Sequence, residues 1–405
     1  MHVLILSQIF PPDMGGGPTR AYNIAKGLLL NGVKVTVIAG FPHYPTGNVP
    51  KNLRKKALSI NYMDNFKIIR TFIPPIPAKG LVNRAILFAS FMISSIFPAI
   101  FVKKVNAIFA SNPNVLVFFP ALLYKIIHRC PIVLNVDDLW PEDPVDIGIM
   151  KSRFMKKIGE ILAKIAYTMA NAITPISPGY IRILHGKYKI PKNKIHVVRG
   201  GVDISKFKPI SSKNKDNEKF IVLYSGAFSV AYDFNQVIKA AKLLEQHEDI
   251  EIVLQGAGEL MDSIKRSVKE MNVKNVRIID KVLSRNEVAE LLSQADALLL
   301  PLKGFGRPYL GISSKLYEYQ AVGKPIICVA EGQPAKHVKE TGSGIVVKPE
   351  DHEKLAEAIM LLKKNRNMAE KFGMAGRKYV EDNLTIDRVG LEIVRILFNI
   401  IKNAE

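Results

Sequence analysis

The chain has 405 residues, 48% of them apolar, enough for two α/β domains that each bury a core. Its two cysteines, Cys130 and Cys328, stand far apart in no CxxC spacing, which excludes a disulfide scaffold and a cysteine-rich zinc site and suits a reducing cytoplasm. The net charge of +21 is lopsided: residues 1–210 hold 28 basic and 9 acidic side chains (net +19), the remainder 29 and 27 (net +2). So basic a half fits an anionic membrane and a phosphorylated lipid, or a lysine-rich solvated surface; a nucleic-acid partner has no helix-turn-helix, RNP sequence or zinc finger to support it.

Met1 leads straight into Val3-Leu4-Ile5-Leu6 with no basic stretch before it, so residues 2–7 are predicted as a strand and not as a secretory signal. The loop Pro11-Pro12-Asp13-Met14-Gly15-Gly16-Gly17-Pro18 follows. A helix with apolar residues at Ala21, Ile24, Ala25, Leu28 and Leu29 then ends at Asn31-Gly32. Residues 33–39 form the next strand, and this βαβ unit implies a parallel sheet with a right-handed crossover. Further strands are expected at 67–72, 107–110, 131–136, 172–176 and 195–198.

Residues 85–102 carry no charge, with Arg84 before them and Lys103-Lys104 after. A spanning helix needs about 20 apolar residues, and this run is at the short limit, with three serines and a proline inside. It reads as a buried or interfacial helix whose flanking cations meet lipid phosphates, ahead of a spanning one.

The polar, lysine-rich run 204–219 reads as an inter-domain linker between residues 1–203 and a second domain at 220–380; residues 381–405 read as a helix packing back on the first domain. The second strand–helix series has strands at 220–224, 250–255, 276–279, 297–300, 325–329 and 344–347. Its helices include 234–245, 286–294, 314–322 and 351–364. The fold class is α/β, with two doubly wound Rossmann-like domains in tandem.

Gly15-Gly16-Gly17 sits between a strand and a helix start, where amides without a Cβ beside them approach an anion closely; Arg20 lies one turn in. The spacing is not GxGxxG, so a dinucleotide site is not supported. The sharper constellation runs from Pro301 to Pro325: strand, glycine-rich loop, Ser313-Ser314 as helix caps, then Lys315 and Glu318 on one helix face. A cation and free amides suit a diphosphate, and a carboxylate one turn along can accept two vicinal hydroxyls of a ribose. Asp137-Asp138 follows the predicted strand 131–136 at its carboxyl end, where α/β sites form. Asp138 reads either as a group that orients or deprotonates an acceptor, or as an N-cap of the helix that follows; Asp143 and Asp146 read as surface charges.

Ser313-Ser314-Lys315-Leu316-Tyr317-Glu318-Tyr319-Gln320-Ala321-Val322-Gly323-Lys324-Pro325 resembles the carboxyl-terminal signature of the retaining GT-B glycosyltransferases related to sucrose synthase (group 1, family 4 type). It is most similar to the surface-polysaccharide branch that includes fucosaminyltransferase-like proteins. Pro11-Pro12 with the glycine loop, His43-Tyr44-Pro45-Thr46-Gly47, Asp138-Leu139-Trp140-Pro141-Glu142, Gly201-Val202-Asp203, Tyr224-Ser225-Gly226 and Gln255-Gly256-Ala257-Gly258 resemble further family motifs in the same order. The resemblance covers nearly the whole chain.

It implies a GT-B fold with the two domains facing each other across a cleft. The carboxyl-terminal domain would hold the nucleotide sugar: Glu318 on the ribose, Ser313, Ser314 and Lys315 around the diphosphate, Ser225, Gly226, Gly256 and Gly258 lining the pocket, Val282 at the base. Gly16 and Gly17 would close on the diphosphate, and Arg20, Arg199 or Arg307 would assist. His43, Tyr44, Asp138 and Trp140 would meet the acceptor, and Asp138, Lys315 and Glu318 would carry the chemistry. Two departures stand out. Leu310 occupies the place of the family's first glutamate, and no basic residue follows within Ala227 to Phe234.

The expected activity is retaining transfer from a nucleotide diphosphate sugar, a UDP-sugar favoured, to a lipid-linked or saccharide acceptor in surface-polysaccharide or glycan biosynthesis. No cofactor or metal is expected, and the expected location is cytoplasmic, peripheral at the inner face of the membrane. A sugar-nucleotide epimerase and a non-catalytic sugar-nucleotide-binding or scaffold protein of the same fold are the alternatives.

Overall fold

The computed structural model describes residues 1–44, 46–111, 114–210 and 219–403. It divides into two compact units, Met1–Gly201 with Ile386–Glu405, and Val202–Thr385.

The first unit is built on seven strands: β1 (His2–Ser7), β2 (Lys34–Gly40), β3 (Leu58–Met63), β4 (Phe66–Thr71), β5 (Ala107–Ser111), β6 (Ile132–Val136) and β7 (Ala172–Pro175). They lie in the order β3-β4-β2-β1-β5-β6-β7, parallel except for the antiparallel edge strand β3. Strands β1 and β5 are almost wholly buried, as both-face coverage of a parallel sheet requires. Strand β3 is not among the expected strands: its residues are half to fully exposed, so no apolar run marks it. Residues 195–198, expected as a strand, form only an isolated bridge between Ile195 and Ile173. The helices are α1 (Gly16–Leu30), α2 (Gly80–Ser94), α3 (Phe118–His128), α4 (Glu142–Asp146), α5 (Arg153–Met169) and α6 (Ile181–Gly186).

The second unit has six parallel strands, β8 (Phe220–Ser225), β9 (Ile250–Gln255), β10 (Val276–Ile279), β11 (Ala297–Pro301), β12 (Ile326–Val329) and β13 (Gly344–Val347), in the order β10-β9-β8-β11-β12-β13. Around them lie α7 (Phe234–Leu243), α8 (Met261–Glu270), α9 (Arg285–Gln294), α10 (Lys315–Ala321), α11 (Gln333–Thr341), α12 (His352–Lys364) and α13 (Arg366–Asn383). In both sheets the parallel strands run 3-2-1-4-5-6, so each has a topological switch point beside its first strand, where the loops at the carboxyl ends diverge. Of the expected linker, 211–218 lies outside the described residues. Residues 204–210 belong to the second unit, where Phe207 is buried.

The chain then returns to the first unit as α14 (Ile386–Lys402), which packs its buried face (Val389, Ile393, Leu397) on α1. Gly27 and Gly390 meet at the crossing. A Cβ on Gly27 would lie 2.5 Å from the Ile386 carbonyl oxygen, and one on Gly390 would lie 2.3 Å from the Gly27 carbonyl carbon.

The apolar run 85–102 is helical to Ser94 and continues as a 3-10 turn over Phe97–Phe101. Gly80–Phe101 is long and apolar enough to cross a membrane, by length and composition. Yet it sits on the first unit with Leu87 and Phe91 buried against the core, while Val82, Ile86, Ile93, Phe97 and Ile100 face outward. Of the buried, interfacial and spanning readings of this run, a fully buried helix is not what is seen. Helix α5 shows the same habit: Gly159, Ala163 and Ala166 face inward, and Phe154, Ile158, Ile161, Ile165 and Met169 form an exposed stripe at helical spacing.

Candidate functional site

In the first unit, the loop after β1 sits at the switch point between β1 and β5. Asp13 is buried and ties this loop to the next one: its carboxylate accepts the amides of His43 (2.8 Å), Tyr44 (2.9 Å) and Phe10 (3.3 Å). Burial raises its pKa against the opposing pull of His43. Gly15 precedes α1 with φ +122, and Gly15 and Gly16 are exposed, so the first-turn amides of a 15-residue helix open outward with no side-chain cap.

Two predicted side chains do not stand where the sequence suggested. Arg20, expected beside a diphosphate, is buried. It pairs with Asp137 and donates to Asn135 Oδ1 (3.1 Å) and to the Val198 carbonyl (2.7 Å). Its charge holds β6 to α1 because Asp137, buried with it, would otherwise be an uncompensated ion. His43, expected at an acceptor, is also interior: one ring nitrogen, Nδ1, hydrogen-bonds the Phe41 carbonyl at 2.7 Å and Nε2 is buried without a partner. Tyr44, by contrast, is exposed beside Gly15.

Asp138 is not at the N-cap: α4 begins at Glu142, with Pro141 in the cap position and no side-chain capping bond. Asp138 is exposed, with protein atoms dense around its carboxyl. Removal from bulk water, and then Asp143 and Asp137, push its carboxyl up to about 8, with Arg84 opposing. Asp143, expected as a surface charge, is buried. Its carboxylate accepts the Leu139 amide (2.7 Å) and the Tyr180 hydroxyl, and burial lifts it to about 7. The correction has a plain cause: the partner of Asp143 lies 37 residues away, so its local sequence looks like any exposed helix start. Trp140 is half-buried, its backbone bonded to the Tyr167 hydroxyl and its ring edge-on to Phe88 of α2, centroids 6.0 Å apart. Helix α2 therefore brings Arg84 and Phe88 beside the Asp138–Trp140 segment.

In the second unit, the turns after β8 and β9 and the loop after β11 gather at the switch point. Gly226 (φ +146) and Gly256 (φ +150) are required there. A Cβ on Gly256 would sit 1.8 Å from the Gly226 carbonyl oxygen, and one on Gly226 would sit 2.2 Å from Lys315 Cε. Lys315 thus lies directly over the β8 turn. Its ammonium lies 5.7 Å from the Tyr224 ring centre and 5.2 Å from that of Tyr232, and donates to the Tyr232 hydroxyl at 3.3 Å. Ser225 donates to Gln255 Oε1 (2.6 Å), and Gln255 in turn donates to the Lys281 carbonyl (2.6 Å), linking the β8 and β9 turns to the segment where Val282 is exposed.

Ser314 holds the cap position of α10 but in helical conformation and with no side-chain capping bond, so the expected serine cap is a matter of position only. With just seven residues, α10 has a modest dipole, and Lys315 is the principal positive charge at this end. Glu318 lies one turn on, 14% exposed, and Arg307 is exposed on the β11 loop. Among the described residues no three His, Cys, Asp or Glu side chains converge as metal ligands would. Sequence reasoning missed the roles of Asp13 and Tyr232 and misread Asp143; only Tyr232, an aromatic just beyond the β8 turn, carried any local signal.

Residues 205–379 match the family model described as glycosyl transferases group 1, and residues 14–206 match that of glycosyltransferase family 4. A curated relative, the GDP-mannose-dependent monoacylated alpha-(1-6)-phosphatidylinositol monomannoside mannosyltransferase of Corynebacterium glutamicum, is 23% identical over 209 residues. That match covers 49% of this chain and about half (54%) of the relative. Among solved structures, the sucrose-phosphate synthase of Thermosynechococcus elongatus superposes with a TM-score of 0.78 at 17% identity over 99% of both chains. Anabaena HepE in complex with UDP gives 0.69 at 13% identity over 98% of this chain and 100% of that one. Two Rossmann-like α/β domains of this kind are those of the GT-B glycosyltransferases.

Proposed function

We propose that this chain, whose two halves match the models of glycosyl transferases group 1 and glycosyltransferase family 4, is a hexosyl-type GT-B glycosyltransferase with a nucleotide diphosphate sugar as donor, held by the second unit, and a lipid-linked or saccharide acceptor held by the first. The observation that carries the donor half is Lys315 poised over the Gly226 turn with Glu318 one helical turn beyond. Charge that develops on the leaving diphosphate meets the Lys315 ammonium and nearby amides, assisted by Arg307, with no resident metal in the reading. Glu318 accepts the ribose hydroxyls. The UDP bound by the Anabaena relative supports a uridine nucleotide, and the GDP-mannose in the mannosyltransferase's name is the reason to test guanosine beside it.

In the transfer, the bond from C1 to the diphosphate oxygen breaks and one from the acceptor oxygen to C1 forms. Family resemblance favours attack from the leaving-group face, with retention. Asp138, exposed at the carboxyl end of β6 and raised to about 8, is the group suited to orient the acceptor hydroxyl and, once ionised, to take its proton. Arg84 and Phe88 beside this segment, with the exposed apolar runs of α2 and α5, favour a lipid-linked acceptor met at the cytoplasmic face of an anionic membrane and a role in surface glycan assembly.

A thermal-shift screen against UDP, GDP and their sugars tests the donor reading. A ligand at 100 times its Kd stabilises by about 2.7 kcal/mol, a resolvable shift. One nucleotide family raises the Tm, and Lys315→Ala and Glu318→Ala abolish the rise. A flat screen with the native chain overturns the donor assignment.

A further inference from the structure

Arg84 stands in α2 between the exposed Val82 and Ile86 and is itself half-buried. Its Nε donates to the Ala78 carbonyl at 3.1 Å, in the segment that leads into the helix. That bond fixes the plane of the guanidinium. Among the described residues, Nη1 and Nη2 have no hydrogen-bond partner, and no carboxylate closes on them as an ion pair. Two parallel N–H bonds at one edge of a planar cation are thus left open, and such an edge matches two oxygens of a phosphate. Asp138 is near enough for the charge of Arg84 to act on it. Phe88, one turn along the same helix, meets the ring of Trp140 edge-on. An open guanidinium fork, an aromatic pair and the carboxyl proposed to take the acceptor proton therefore stand together beside an outward apolar face.

We propose that Arg84 binds the phosphate of a lipid-phosphate-linked acceptor, which is anchored there while its sugar hydroxyl meets Asp138. The inference deepens the acceptor reading above and rests on it. Such a molecule has three parts: a sugar, a phosphate and an alkyl chain. Each finds a matching group here, in Asp138, Arg84, and the outward Val82, Ile86 and Ile93. The lysines of this unit attract anions in general, whereas a fork held in one plane selects a phosphate at one place. Lysine at position 84 would keep the charge but not the planar, two-donor geometry.

Trp140 is the single tryptophan of the chain, so its emission reports on this place alone. The test titrates the full chain with geranyl phosphate and with geraniol, its phosphate-free counterpart, for the native protein, Arg84→Gln and Arg84→Lys. Geranyl phosphate changes the emission of the native chain at concentrations about tenfold below geraniol. Arg84→Gln binds geranyl phosphate about tenfold more weakly, the worth of a hydrogen bond to a charged group, and binds geraniol as before. Arg84→Lys falls between. Unliganded melting temperatures close to the native value show that the variants fold; should Arg84→Gln melt early, Arg84→Lys, which keeps stem and charge, carries the comparison. Phosphatidylglycerol vesicles alone give no change that depends on Arg84. Three results overturn the proposal. Equal binding of geranyl phosphate by the native chain and both variants makes Arg84 a counter-ion of Asp138 and nothing more. A signal displaced by UDP or GDP and indifferent to Arg84 puts the phosphate in the donor site. An Arg84-dependent response to the vesicles gives the fork to a membrane headgroup. A native chain whose Trp140 responds to neither geranyl phosphate nor geraniol overturns the lipid-linked acceptor reading itself.

Discussion

Three acidic side chains crowd the end of β6, and their titration is a property of single residues with measurable consequences. Asp138 in the folded chain, though exposed, is raised to about 8 by desolvation from the protein around it and then by Asp143 and Asp137, while an unfolded aspartate titrates near 4. A carboxyl raised on folding contributes stability that is full below about pH 4 and is lost as pH climbs toward 8. Asp138→Asn removes that loss. The variant should melt at the same temperature as the native chain near pH 4 and at a higher one at pH 9, measured by thermal unfolding. If Asp138 takes the acceptor proton, transfer by the native chain rises with pH through about 8, and the asparagine variant is slow at every pH. A native rate independent of pH between 6 and 9 contradicts that role.

At the level of elements, the close crossing of α1 and α14 depends on two glycines in contact. Gly390→Ala should destabilise the chain by about 1–3 kcal/mol, the usual cost of overpacking a tight contact, read as a lower urea midpoint. Gly186, with open space where its Cβ would be, is the control, and Gly186→Ala should leave the midpoint in place. A Gly390→Ala midpoint equal to the native one would mean that the helices can separate freely. Elements of this kind are largely legible in the amino-acid sequence. Buried parallel strands are apolar runs, and β8, β9, β11 and β12 announce themselves, as do the glycine turns and the Lys315–Glu318 helix. What stays hidden are features whose partners are distant in the chain. Strand β3 is exposed and lacks an apolar signal, Arg20 meets Asp137 across more than 100 residues, and Arg285 meets Glu318 across 33. No spacing rule connects such pairs; the order of strands in the sheet does.

For the molecule as a whole, the first unit carries both a net charge of +18 (26 basic and 8 acidic side chains in residues 1–201, 3 of each in 386–405) and the outward apolar faces of α2 and α5. The exposed side chains are large, Ile100 being 84% and Phe154 73% accessible, and Arg153, Lys156, Lys157 and Lys164 share α5 with its stripe. Apolar contact with a headgroup layer and cation attraction to anionic lipid then act together. The full chain should float with phosphatidylglycerol vesicles and stay behind with phosphatidylcholine, less so as salt rises. Phe97→Glu with Ile100→Glu, or Phe154→Glu with Ile161→Glu, should each reduce flotation several-fold without altering nucleotide binding. Failure of the native chain to float with anionic vesicles ends the membrane reading.

The return of α14 has a consequence for how the protein is made. Chains are synthesised from the amino terminus at about 5–20 residues per second, and domains usually fold in that order. Here the first unit is not finished until Ile386–Lys402 has been made, after every residue of the second. During that interval Ala21, Ile24, Ala25 and Leu28 of α1 lack the helix that packs on them. The second unit, encoded inside the first, can close on its own sheet earlier, so the order of folding is set to reverse the order of the sequence.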